Sequence, residues 1–224
     1  MIIDLQLNQG SGPWPLLRDA GIAAEEAGFG TLWNLDHFSG AAFGSDSMME
    51  CFTSLTAWAT TTSTIGLGTL VANVMNREPG LLANIVSSIQ QISGNRLIFG
   101  IGAGAAPNTN FSAEQDALGI SLLPKMADRH IRLAEVVDIM RSIWAKDREE
   151  RFVGFPRPVK QPHIIVGVNS MALAVLSGQM TDGVNTRFNH PERAALLAAA
   201  RDASGNCPPP RRTAARRHAP RCAR

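Results

Sequence analysis

The sequence predicts an α/β chain of repeated βα units on a parallel sheet, and three observations predict it. Short β-branched or aliphatic runs alternate with longer amphipathic stretches through residues 1–204. Each run is followed, in order, by a stretch of helix length, and polar residues or glycines gather where the runs end. A chain of 224 residues, 45% hydrophobic and 18% charged, is long enough for one sizeable core or two small ones.

Six strands are expected, at 2–7, 31–35, 65–71, 97–101, 164–166 and 183–186, with no visible sequence repeat. Helices are expected between them at 15–27, 52–61, 80–92, 128–144, 170–179 and 191–203. The first is stopped by Gly28. The 128–144 helix is the clearest: Leu133, Val136, Val137, Met140 and Trp144 recur at spacings of three and four, while Arg132, Glu135 and Ser142 take another face. Pro191 suits the first turn of the last helix, after Asn189-His190. Residues 103–125 are polar and interrupted by Pro107, Gly119 and Pro124, so they read as an inserted loop after the fourth strand.

Charge is uneven. Residues 208–224 carry six arginines, four prolines and no acid; without those arginines the formal charge of +2 becomes −4. The segment lacks aromatic residues to stack on bases, so it reads as an unfoldable tail rather than a nucleic-acid arm, giving a division into 1–206 and 207–224. Cys51, Cys207 and Cys222 are odd in number and widely spaced, which suits a reducing compartment and neither a disulfide framework nor a metal knuckle. The opening Met1-Ile2-Ile3-Asp4 lacks a basic n-region and a long apolar h-region, and no apolar run has the length of a membrane span. A cytoplasmic protein with no membrane and no nucleic-acid partner is expected.

In a parallel barrel the chemistry sits at the carboxyl ends of the strands. The expected strands lead in turn to Asn8-Gln9, Asp36-His37, Asn73, Gly102-Ala103-Gly104, Asn169-Ser170 and Arg187. His37 is the candidate catalytic residue, because an imidazole of ordinary pKa near 6.5 exchanges protons close to neutrality; the alternative is a satisfied turn histidine. Strand alternation sends Asp36 the other way, as a structural carboxylate. His130, His163 and His190 sit at helix starts or before a strand and read as structural, and no pair has metal-ligand spacing, so no metal is expected. The glycines of Gly100-Ile101-Gly102-Ala103-Gly104 lack the spacing and the directly following helix of a dinucleotide loop. Ser170, behind Gly167-Val168-Asn169, is either an anion site at a helix start or a plain N-cap.

Several stretches together resemble the bacterial luciferase-like monooxygenase family, which includes reductases using the deazaflavin coenzyme F420. They are Ala27-Gly28-Phe29-Gly30-Thr31-Leu32-Trp33 with Asp36-His37-Phe38; Ile65-Gly66-Leu67-Gly68-Thr69 with Glu78-Pro79-Gly80; Ser93-Gly94-Asn95-Arg96-Leu97 running into the glycines; Arg132-Leu133-Ala134-Glu135 leading to Ile143-Trp144; and 164–170 with Thr181-Asp182-Gly183. The resemblance spans about residues 2–202. It implies a TIM-type (β/α) barrel, here incomplete with about six βα units, because sequence resembling the seventh and eighth strands is absent. It also implies reduced FMN or coenzyme F420 at the strand carboxyl ends and oxidoreductase activity, as a monooxygenase or an F420-dependent reductase, on a small organic substrate. His37 would serve proton transfer or substrate binding, Asn73 would lie beside the ring, Gly102 and Ala103 would pass under it, and Asn169 and Ser170 would hold the phosphate. A non-prolyl cis peptide is implied near Leu70-Val71-Ala72, and homodimers are frequent in the family.

The sequence departs from the family in two places. Asn95 stands where a glycine is common, and Ala105-Ala106-Pro107-Asn108 stands where an acidic residue often follows the strand-four glycines. Two other functions compete: a truncated barrel that binds cofactor, or nothing, without catalysis, and a flavin-independent phosphate-binding barrel enzyme anchored at Ser170.

Overall fold

The computed structural model describes residues 2–205. The expected tail at 207–224, with Cys207 and Cys222, lies outside the described residues. The strands are β1 (Leu5–Gln6), β2 (Thr31–Asn34), β3 (Gly66–Thr69), β4 (Ala72–Asn73), β5 (Leu97–Gly102), β6 (His163–Gly167) and β7 (Gly183–Asn185). The helices are α1 (Trp14–Glu26), α2 (Cys51–Thr61), α3 (Pro79–Ile92), α4 (Ala113–Ala117), α5 (Met126–Trp144), α6 (Met171–Met180) and α7 (Arg193–Gly205). The strands form one parallel sheet in the order β1-β2-β3-β5-β6-β7, with β4 also against β5. All pairings are parallel, so the carboxyl ends of the strands share one rim. Within the described residues β1 and β7 do not pair with each other, and the curled sheet stays open.

The inner strands β2, β3 and β5 are buried without alternation, Thr31, Asn34 and Thr69 included. All four residues of β2 are buried, as are Leu97, Phe99 and Ile101 of β5. Helix α5 buries Leu133, Val136, Val137, Met140 and Trp144, the stripe its periodicity predicts, and Ile143 with it. Full burial of Trp58, Trp144 and Phe99 contributes about 1.5 to 3 kcal/mol or more each. Helices α6 and α7 approach so closely at Gly178 that a Cβ there would strike the backbone of Ala200.

Arg96, the arginine that opens β5, ties three elements together. Its Nε donates to Ser93 O (2.7 Å), Nη1 to Ile65 O (2.8 Å) and Thr62 Oγ1 (3.0 Å), and Nη2 to Ala59 O (2.8 Å) and Thr62 O (3.0 Å). The turn before it needs left-handed backbone at Gly94 (φ 66°) and Asn95 (φ 69°). Asparagine is among the few side chains that accept this conformation, so the departure from glycine leaves the turn intact.

The structure corrects several expected boundaries. The first strand pairs only at Leu5–Gln6, because an edge strand has one neighbour to hold it. The third strand is two pieces: Leu70-Val71 is a cis peptide, after which β4 pairs Ala72 with Ile101 and Asn73 with Gly102. Pro191 lies in the turn before α7 rather than inside it. The insertion is not structureless, since it contains α4, whose residues reach the site.

Candidate active site

Strand ends from β2, β4, β5 and β6 open on a cavity of about 380 Å³, within the usual range for ligand pockets. Its wall includes His37, Asn73, Gly102, Ala103 and Asn169, so five of the six candidate site residues meet at one place. Ser170 is not on that wall; its hydroxyl is the N-cap of α6, accepting from Leu173 N at 3.4 Å. Asn8, Gln9 and Arg187 also stay out of the cavity. Buried Gln9 instead joins the β1 and β2 loops through both atoms of its amide, to Leu35 O and Leu35 N.

His37 is oriented by a residue the sequence reading did not single out. Glu114, on the first turn of α4, places Oε1 at 2.8 Å from His37 Nδ1 and accepts with Oε2 from the amides of Phe38 (2.8 Å) and Ser39 (3.0 Å). One carboxylate thus fixes both the ring and the backbone carrying it. With the glutamate ionised, Nδ1 carries the proton and donates, which leaves Nε2 as the exchanging atom. Phe43 meets the ring edge-on at 4.9 Å between centroids, and Phe111 lies at 5.8 Å. The signal for Glu114 was an acid in the polar insertion, but sequence spacing gave no reason to bring it to a histidine 77 positions earlier.

Asp36 contributes to the wall while its carboxylate is committed behind it. It receives a two-bond clamp from Arg77, at 2.9 Å to each oxygen, and bonds from Asn73 N (2.8 Å) and Asn76 Nδ2 (3.2 Å). Arg77 also bonds Glu50 and stacks over Phe52 at 4.5 Å. Although burial alone would lower it, the Asp36 and Glu50 partners raise the Arg77 pKa above its ordinary value. Through Asn73 N, the same carboxylate fixes the start of the loop after β4. Asn73 accepts with its Oδ1 from Met75 N (2.9 Å), and its Nδ2 has no hydrogen-bond partner among the described residues.

Gly102 forms part of the floor, and a Cβ there would come within 2.7 Å of Val71 Cγ2. The insertion side of the wall is supplied by Phe111, Gln115, Met126, Arg129 and His130. His130, which position alone assigned a structural role, therefore faces the cavity; burial first, and then the charge of Arg129, push its pKa below the ordinary value. Gln115 is 1% exposed and donates from Nε2 to Asn76 Oδ1 and Glu114 Oε1, each at 3.1 Å. Asn76 spends its own amide nitrogen on Asp36, so the Gln115 amide is held in this sense, and its buried Oε1 has no partner. Among the described residues, no group of three or more His, Cys, Asp or Glu is arranged to hold a metal ion. Cys51, the cysteine within the described residues, is a buried free thiol whose pKa burial raises.

A curled parallel βα sheet with a ligand-sized cavity at its carboxyl rim is the arrangement of a cofactor- or substrate-binding barrel protein. The chain belongs to the luciferase-like monooxygenase family, whose profile matches residues 3–217. It is 28% identical over 184 residues to a 5,10-methylenetetrahydromethanopterin reductase of Methanolobus tindarius, covering 80% of this chain and 52% of that protein. It is 27% identical over 192 residues to an F420-dependent glucose-6-phosphate dehydrogenase of Microbacterium testaceum, covering 81% and 55%. The chain thus spans about half the length of these curated relatives. Similar solved structures include an F420-dependent secondary alcohol dehydrogenase in complex with an F420–acetone adduct (TM-score 0.74, 21% identity, covering 91% of this chain and 66% of that one). Another is the monooxygenase RslO1 from Streptomyces bottropensis (TM-score 0.72, 21% identity, covering 94% and 68%). At these identities the structural likeness speaks for the fold.

Proposed function

We propose that the protein is a flavin- or deazaflavin-dependent oxidoreductase acting on a small organic substrate, with reduced FMN or coenzyme F420 bound in the cavity at the strand carboxyl ends. The observation that carries this reading is the His37 imidazole, locked by Glu114 at Nδ1 and presented on the wall of that cavity. The residues fit a flat polar cofactor. Gly102 keeps the floor free of a side chain, Ala103 continues it, Asn73 offers an unspent amide donor, and Gln115 an unspent acceptor. The family membership and the relatives named for F420 dependence support the same class.

When bound, the cofactor supplies the electron pair, and the protein supplies position and a proton. His37 holds or moves that proton at Nε2, and Glu114 stabilises the imidazolium that forms when Nε2 takes it. Asn169 and the first-turn amides of α6 are offered to the cofactor phosphate; the Ser170 oxygen accepts from Leu173 N and sets the helix start, and its hydroxyl hydrogen stays available to the same phosphate. A cytoplasmic setting suits the cysteine usage, and a homodimer suits the open sheet edges and the exposed Leu81 and Ile92 of α3. No described helix is long and apolar enough to cross a membrane.

Fluorescence and absorbance titration of the protein with reduced FMN and with F420 tests the reading; saturable binding of one is expected, and binding of neither overturns it. His37→Ala is expected to retain cofactor affinity while turnover falls by about 10² to 10⁴. Unchanged turnover would remove His37 from proton transfer.

A further inference from the structure

Among the described residues, Arg129 is the one arginine or lysine in the buried interior, 8% exposed, and it is paired with no carboxylate. Its Nη1 donates to Leu123 O and Pro124 O, each at 3.0 Å. Nε is buried without a partner, and among the described residues no protein group accepts from Nη2. Nε–H and Nη2 form one edge of the planar guanidinium, the edge that grips two oxygens of an anion side by side. That whole edge is unspent. Arg77 and Arg96 differ: the first is matched by two carboxylates, and the second donates from all three of its nitrogens to protein oxygens.

A guanidinium buried without a counter-ion is costly, and two neutral carbonyls satisfy only part of its five donors. The nearby carboxylates are committed elsewhere, Asp36 to Arg77 and Glu114 to His37. His130 lies beside Arg129 on the same wall, and burial first, then the Arg129 charge, lower its pKa and so favour its uncharged form. A ligand bringing an anion would complete the pair.

We infer that Arg129 anchors an anion subsite in the cavity, taking a carboxylate or phosphate group on its Nε–Nη2 edge. This rests on the cavity being the binding site of the proposed function. Two sources share the chemistry: the phosphate of the cofactor and an acidic group on the substrate.

The primary test is the Arg Nε–Hε spectrum of the wild-type protein, with the Arg129 signal assigned by its loss in Arg129→Gln. A shift of that signal on addition of FMN, inorganic phosphate or benzoate is expected; no shift with any of the three overturns the subsite, and Arg129→Lys supplies the assignment should Arg129→Gln not fold. Arg129→Gln then separates the sources. If the subsite takes the cofactor phosphate, FMN affinity falls at least about tenfold while riboflavin affinity is unchanged. If it takes the substrate, FMN and riboflavin bind as before, and the riboflavin-saturated variant loses benzoate binding. Retention of all three affinities overturns the inference. Failure of FMN, riboflavin and F420 to bind wild type would remove the flavin reading alone, since the response to inorganic phosphate still reports on Arg129.

Discussion

At the scale of single residues, Glu114 decides what His37 can do. A carboxylate that accepts from an imidazole and two backbone amides stabilises one rotamer, one tautomer and one loop conformation together. Glu114→Ala leaves the amides of Phe38 and Ser39 without their acceptor, at a cost of about 1 to 3 kcal/mol. Those two amides are expected to exchange faster with solvent, and kcat is expected to fall by less than in His37→Ala with KM little changed. Slow exchange retained at both amides would mean that the loop is held by something else. The Asp36–Arg77 clamp is the second such device, and there removal of one partner is the severe change: Arg77→Met strands a buried carboxylate, and a loss of about 3 to 5 kcal/mol in urea unfolding is expected. A loss below about 1 kcal/mol would show that Asp36 finds other compensation.

At the scale of elements, the end of α1 is joined to the segment that leads from α2 into β3. Glu25, near the end of α1, accepts from the amides of Ser63, Thr64 and Ile65 just before β3. Desolvation acts against its charge, but those amides and the Thr64 hydroxyl outweigh it and lower the pKa from 4.5 to about 2. The folded value lies below the unfolded one, so the carboxylate's contribution is full above about pH 4.5 and is lost as pH falls toward 2. Glu25→Gln is therefore expected to melt several degrees lower than wild type at pH 7, with the gap closing between pH 4.5 and 2. A gap independent of pH would show that shape, not charge, is what the Gln lacks.

At the scale of the whole molecule, the sheet of the described residues has two edges, at β1 and β7, and an exposed strand edge is a template for pairing unless it is covered. With Leu81 57% and Ile92 49% exposed on α3, association of two copies has apolar surface available. Sedimentation velocity at micromolar concentration is expected to give a two-chain species; a single-chain species across that range would discard the homodimer.

The sequence by itself determined the order and type of six strands and six helices, leaving out the short β4 and α4. The alternation of apolar runs with amphipathic stretches is a local signal, and α5 buries the five stripe residues that its spacing marks. It also marked the rim, because in parallel units the residue after each strand falls on the same side of the sheet, which is how His37, Asn73, Gly102, Ala103 and Asn169 come together. Tertiary structure alone decided which residues serve that rim from a distance. Gln115 reaches the cavity, and Glu114 reaches His37, because an irregular insertion folds back toward the loop after β2, and no periodicity encodes such a return; Arg129 and His130 reach the cavity from the first turns of α5, whose stripe marked the buried face of the helix but not what its start would meet. The same holds for Ser170: its position left cap and anion site equally open, and the bond from Leu173 N, a matter of side-chain rotamer, shows that its oxygen serves as the cap.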